Sequence, residues 1–175
     1  MNLPEPRWPA LLSTRLVVGT ATLGPIGRWG RAPGTNGSLV GLLFFAVLLP
    51  RFNAIALVAL AVVFAWAAVG LCGEAERRLG RKDPGIVILD EFVAMPLCFV
   101  GWQSLDGIVP AWTLLVGGFL LFRLFDIAKP LGIRRLQYLP GGWGVVADDL
   151  AAAALTCGVL HGLVRAYGAG WFGTL

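Results

Sequence analysis

Charge is scarce in this chain. Asp, Glu, Lys and Arg together supply only 14% of its 175 residues, against about 25% in soluble domains. That shortage, with 57% hydrophobic residues and a mean hydropathy of +0.77, excludes an ordinary water-soluble domain and points to a polytopic integral membrane protein. There is one His, which excludes any catalytic set built on several. The three Cys, at positions 72, 98 and 157, are odd in number, far apart and in apolar surroundings. They read as small buried hydrophobes rather than as disulfides or a zinc site. Cys72 and Arg78 share the Cys-x5-Arg spacing of thiol phosphatases, but Glu74 and Glu76 between them would repel a phosphate and the loop is not rich in glycine. A basic stripe is missing too. The net charge of +4 is spread over short loops, which excludes a nucleic-acid surface and fits topology determinants and contacts to anionic lipids.

What is present is arranged in charge-free runs. The first lies between Arg31 and Arg51 and the second from Phe52 to Gly73. The third and fourth flank Asp106 between Phe92 and Phe122, and the fifth runs from Leu150 to Val164. A span needs about 20 apolar residues, and the last three runs reach that length only if their helices extend past the acids at their ends. The expectation is therefore an all-α helical bundle of one domain over residues 1–175, with about four to five spans. Residues 1–15 form a cytoplasmic N-terminal segment, and Leu11–Leu23 an interfacial or re-entrant element. Pro4, Pro6 and Pro9 before a short apolar stretch do not resemble a cleaved signal peptide. With five spans and a cytoplasmic N-terminus, twelve of the fourteen basic residues face the cytoplasm and only Arg51 and Arg165 do not, as the positive-inside bias requires.

Most of the ten acids sit where an acid is expensive. Asp90-Glu91, Asp126 and Asp148-Asp149 each border an apolar run, and ionisable groups kept near hydrocarbon are functional candidates. In the five-span arrangement all five meet at the cytoplasmic face, where they repel one another unless a cation joins them. An all-oxygen set suits Mg²⁺. Taken singly, Asp90-Glu91 and Asp148-Asp149 are also compatible with helix capping at N-terminal ends.

Two further stretches accompany the acids. Arg123, Asp126 and Lys129, spaced i, i+3, i+6 before Pro130, fall on one helical face. They read either as a salt-bridge ladder at a helix end or as a metal ligand between two phosphate-binding cations. Pro33-Gly34-Thr35-Asn36-Gly37-Ser38 reads as a tight turn feeding a helix, where backbone N–H groups cradle an anion, or as helix capping by Thr35, Asn36 or Ser38. His161 lies near the far end of the last run, away from every acid, and reads as structural.

These four blocks, in this order, resemble the phosphatidylglycerophosphatase A family. Its Pro-Gly-Thr-x-Gly-Ser block is similar to Pro33–Ser38, and its Asp-Glu-Phe-Val block to Asp90–Val93. Its Phe-Arg-x-x-Asp-x-x-Lys-Pro block is similar to Phe122–Pro130, and its late Gly-rich Asp-Asp block to Gly142, Gly144, Asp148 and Asp149. The chain departs from the family pattern at Leu89, Ala94 and Leu131-Gly132-Ile133, none of them a charged position. The resemblance, from about Gly19 to Gly162, implies a Mg²⁺-dependent phosphatase of the bacterial inner membrane that converts phosphatidylglycerophosphate to phosphatidylglycerol. Asp90, Glu91, Asp126, Asp148 and Asp149 are then expected to supply metal ligands, with Asp90, Glu91, Asp126 and Asp149 as the catalytic candidates, one of them the general base. Thr35, Asn36, Gly37, Ser38, Arg123 and Lys129 are expected on the substrate phosphate, and direct attack by water is the expected route. The partner is a membrane phospholipid; assembly of several copies is left open.

Two rival functions fit the residues less well. A phosphotransferase acting on a CDP-activated lipid would carry Asp-Gly-x-x-Ala-Arg, whereas Asp106-Gly107 is followed by Ile108-Val109-Pro110-Ala111. A small transporter or channel would place polar groups near mid-membrane, and these runs offer few.

Overall fold

The computed structural model describes residues 3–48 and 51–171, and among them every regular element is helical. The first charge-free run ends at Leu49 and Pro50, which lie outside the described residues. Six α-helices follow the chain: α1 (Thr14–Ala21), α2 (Pro33–Leu48), α3 (Ala54–Leu79), α4 (Leu89–Ala94), α5 (Ala111–Ala128) and α6 (Gly142–Gly168). Short 3-10 turns join them, including Met95–Phe99 and Trp102–Leu105 after α4.

Three of these, α3, α5 and α6, are long and apolar enough to cross a membrane. At 1.5 Å per residue, α3 and α6 reach about 40 Å and α5 about 27 Å, against a hydrocarbon core of about 30 Å. The excess length of α3 and α6 is spent at one end of the bundle, where Glu74, Arg77 and Arg78 end α3 and the two turns from Gly142 to Asp149 open α6. Helix α2, with 16 residues, is shorter. Its exposed Leu39, Leu43, Phe44 and Val47, and the exposed Ile55, Val62, Val63 and Trp66 of α3, make faces that suit lipid, not water.

The third run differs from the continuous helix its composition suggests. Helix α4 stops after six residues, and Pro96 opens the 3-10 turn that follows. A proline there lacks the N–H for an α-helical bond and crowds the carbonyl four residues back. Gly101, in the left-handed region at φ +74°, then turns the chain again. This irregular segment is lined by fully buried Met95, Cys98 and Phe99. It packs within a core built from α2, α3, α5 and α6, the setting in which non-helical backbone is tolerated at depth. A second cluster ties α1 to α3, α4 and α6 through Val17, Ala68, Val69 and Val146. Leu11–Leu23 comprises a 3-10 end, a linker and the eight-residue α1, which packs on α3.

Small residues allow the close crossings. A Cβ on Gly37 or Gly41 of α2 would press on the backbone of Ile88 or Phe92, and one on Gly118 of α5 would meet the Phe99 ring at 2.5 Å. These approaches bring the start of α2, the start of α4, the end of α5 and the start of α6 to one end of the bundle.

Candidate metal and phosphate site

That end holds a cavity of about 300 Å³. Asp90 and Glu91 enter from α4, Arg123 and Asp126 from the last turns of α5, Lys129 from its C-cap, and Asp148 and Asp149 from the second turn of α6. Pro33 and Gly34 close it from α2, and Asp83 and Gly85 from the loop before α4. All five acids anticipated as metal ligands therefore line one pocket, with both anticipated cations.

The geometry divides the acids into two groups. Asp90, Glu91 and Asp149 each present an oxygen within 4.8 Å of the others. Asp126 and Asp148 are held by the cations: Arg123 Nη1 lies 2.8 Å from Asp126 Oδ2, and Lys129 Nζ lies 3.5 Å from Asp126 Oδ1 and also pairs with Asp148 Oδ2. The i, i+3, i+6 ladder thus forms, and it is cross-linked to other helices. Arg123 also donates to Ser38 Oγ at 3.1 Å and lies 4.0 Å from Glu91. Lys129 reaches Asp148 because it ends α5 in a left-handed conformation, φ +46°, that turns its side chain back over the helix end. Burial disfavours its ammonium, but the hydrogen bond and charge of Asp148, helped by Asp149 and Asp126, outweigh that and hold its pKa above the ordinary lysine value.

Four carboxylate oxygens in this pocket, Asp90 Oδ1, Glu91 Oε2, Asp148 Oδ1 and Asp149 Oδ2, are buried without a hydrogen-bond partner. Buried polar atoms are seldom left this way, and leaving a charged one so is costly. Six acids and two bases line the cavity, so the local charge is far from balanced. A hard divalent cation among these oxygens would satisfy the orphans and offset the repulsion together. The donor set is all oxygen, as Mg²⁺, Ca²⁺ or Mn²⁺ prefers.

Residues 33–38 are placed differently from the turn their composition suggests: they are the first turns of α2 itself. Pro at the first helical position tolerates the loss of its N–H and presets φ, and Ser38 bonds back to the carbonyl of Gly34 at 2.8 Å. Asn36 turns away from the cavity and donates to Trp29 O at 2.7 Å. Gly37 packs on Ile88, and none of Thr35, Asn36, Gly37 and Ser38 lines the pocket. Gly34 does: a Cβ there would overlap the Glu91 carboxylate. Asp83 lines it too, and nothing local in the sequence marks these two wall positions: Gly34 looks like one more turn glycine, and Asp83 sits in a polar loop among other charges. His161 sits at the other end, its ring nitrogens facing Cys157 O at 3.0 Å and Gly101 O at 3.3 Å.

The fold and site together define a class: an all-helical protein with membrane-length apolar helices and, at one end, an oxygen-rich pocket able to hold a metal beside two phosphate-competent cations. Within that class the chain belongs to the phosphatidylglycerophosphatase A family, whose model matches residues 19–164. It is 36% identical over 124 residues to the phosphatidylglycerophosphatase A of Haemophilus influenzae, covering 70% of this chain and 72% of that protein. With the Escherichia coli protein of the same name it shares 30% over 134 residues, 74% and 72% of the two chains. A Bacteroides thetaiotaomicron protein, provisionally named a phosphatidylinositol-3-phosphatase, is 35% identical over 126 residues, 69% and 76% of the two. No solved structure shows significant similarity to the chain.

Proposed function

We propose that the chain hydrolyses the terminal phosphomonoester of phosphatidylglycerophosphate, releasing phosphatidylglycerol and inorganic phosphate at the cytoplasmic face of the bacterial inner membrane, with Mg²⁺ in its site. The observation that carries this reading is the set of four partnerless buried carboxylate oxygens in a cavity shared with Arg123 and Lys129. Family membership supports the lipid phosphate as substrate. The membrane face rests on the distribution of Lys and Arg.

In this scheme Asp90, Glu91 and Asp149 are the principal metal ligands, and Asp126 and Asp148 complete the set while orienting the two cations. When bound, the metal supplies a Lewis acid for the phosphoryl oxygens and a more acidic water. Arg123 takes two phosphoryl oxygens with its fork, and Lys129 acts as a point charge. From α2, Gly34 offers an N–H of the first helical turn at the cavity wall, and Ser38 acts through Arg123, whose guanidinium it holds by accepting a hydrogen bond. One carboxylate accepts the proton of the attacking water as the new P–O bond forms. The bond to the glycerol oxygen breaks, and that oxygen leaves as the hydroxyl after gaining a proton. Cations already positioned for the developing charge lower the barrier without reorganising.

Five membrane crossings complete the reading: α2, α3, the irregular segment from α4 to Leu105, α5 and α6. Contacts of α6 with the segment support the third. Asp149 shares the metal-capable trio with Asp90 near its start, and Arg165 donates to Ser104 near its end. Those α6 positions are about 24 Å apart along the helix.

The test is phosphate release by detergent-purified protein from phosphatidylglycerophosphate and from phosphatidylinositol 3-phosphate, with and without Mg²⁺, beside Asp149→Asn and Asp126→Asn. Mg²⁺-dependent release that collapses in Asp149→Asn is the expected result. Release indifferent to Mg²⁺ sinks the metal reading, and a preference for the inositol lipid sinks the substrate assignment.

A further inference from the structure

The start of α6 is capped from the other end of the chain. Its N-cap, Gly141, has φ +54° and ψ −143° and no side chain to offer. The missing acceptor comes from Glu5, whose Oε1 receives the Gly142 N–H at 2.5 Å. The residues around Glu5 hold it there. Trp143 Nε1 donates to Pro4 O at 3.0 Å, and Arg77 bridges Glu5 at 3.3 Å and Glu74 at 2.8 Å. Arg78 donates to the carbonyls of Pro9, Ala10 and Leu12. Residues 4–12 thus form a strap across the end of α3 onto the first turn of α6. The approach is close: Gly73 and Gly142 have no room for a Cβ between α3 and α6. The strap precedes the family match, which begins at residue 19.

Seven residues beyond that cap, about 10 Å along the helix, Asp148 and then Asp149 enter the cavity. An acid at the first turn satisfies an orphan N–H and complements the helix dipole, which holds the turn together. Glu5 itself does not line the cavity and is absent from the trio of metal-capable oxygens.

We infer that Glu5 is a positioning residue for the metal site: as a distant N-cap it sets the register of α6 against α3 and so the place of Asp149 relative to Asp90 and Glu91. The inference rests on the metal-site reading above. It requires the cap geometry, not the charge alone. Gln at position 5 keeps an acceptor at the same reach, whereas Asp keeps the charge but is one methylene short.

The experiment titrates full-length purified protein with Mn²⁺, bound metal being read by electron paramagnetic resonance without any lipid substrate, for wild type, Glu5→Gln, Glu5→Asp and Glu5→Ala. Melting temperature is measured beside it. Expected is Mn²⁺ affinity within about twofold of wild type for the Gln variant and weakened about three- to tenfold for the Asp and Ala variants, below the 10–100-fold typical of direct outer-shell partners. At saturating metal the turnover of all four should agree within about twofold, which a general loss of structure would not allow. Should the Ala variant not fold, the Gln and Asp pair decides the matter. Wild-type affinity in the Asp variant, or equal losses in Gln and Asp, overturns the inference and leaves the metal site standing. Wild-type protein that binds no Mn²⁺ overturns the site reading, and the inference with it.

Discussion

The two ends of α6 run beside the same neighbour, the segment from α4 to Leu105, yet treat polar groups in opposite ways. At the far end the groups are paired: Cys157 donates to Val100 O, His161 meets Gly101 O, Arg165 donates to Ser104, and Ser104 donates to Gly101 O. Trp102 Nε1 is the exception. At the near end four carboxylate oxygens are left without partners beside two cations. The far end is a clamp that closes the irregular backbone on itself. The near end has the donor set to take a cation from outside the chain. Satisfied polar groups stabilise a fold; unsatisfied ones, kept at a cost, mark the place where a ligand completes it.

The largest effects should come from removing charge at the near end. Asp90→Asn and Asp149→Asn should each lower phosphate release by about 10²–10⁴-fold, and with the repulsion relieved the metal-free protein should melt at the same temperature or higher. A variant that lost stability along with activity would make the near end a structural clamp like the far one. Arg123→Lys should cost less, about 10–100-fold in kcat/KM, since a point charge cannot hold Asp126, Ser38 and a phosphate together as a fork does. Full activity in that variant would remove Arg123 from the phosphate site.

The two ends also differ in how a glycine fails. Gly118→Ala meets the Phe99 ring in the core and should destabilise by about 1–3 kcal/mol through overpacking, with kcat of the folded protein unchanged. Gly34→Ala meets the movable ends of Glu91 and Arg123, and should lower activity with little change in melting temperature. Thermal unfolding and phosphate release on both variants would blur the comparison if their effects were exchanged. His161→Ala should cost about 1 kcal/mol for a lost hydrogen bond, a drop of about 2–4 °C, without altering turnover.

The smallest effect is a matter of pH. Because the folded pKa of Lys129 is raised, its stabilisation is complete below the unfolded value of about 10.4 and is lost as pH rises through the folded one. Melting temperatures of wild type and Lys129→Met should therefore differ at pH 8 and converge at strongly alkaline pH. A difference that grew with pH would reverse the sign of the pairing.

That these acids and cations would gather could be read from the chain because each cue is local. Arg123, Asp126 and Lys129 share a face by helix periodicity alone, and acids bordering apolar runs must sit at helix ends, since hydrocarbon forbids them further in. The third run was harder. Its composition reads as a continuous helix, and the break is set by one residue, Pro96, whose effect depends on the core that accepts irregular backbone around Met95, Cys98 and Phe99. The Pro33–Ser38 block is helical although Gly, Pro and Asn favour turns, a preference that the packing of Gly37 against Ile88 overrides.

By itself, then, the sequence determined an all-helical chain with helices long and apolar enough to cross a membrane and acids gathered at their ends, because apolar length and the cost of burying charge are properties of single segments. Only the tertiary structure decided how the acids divide, with Asp90, Glu91 and Asp149 facing one another and Asp126 and Asp148 bound to cations. It alone made Gly34 a wall of the site and let Glu5 cap a helix 137 residues away. Those outcomes depend on distances between helices, and such distances follow from which small residues let backbones approach, not from any segment read alone.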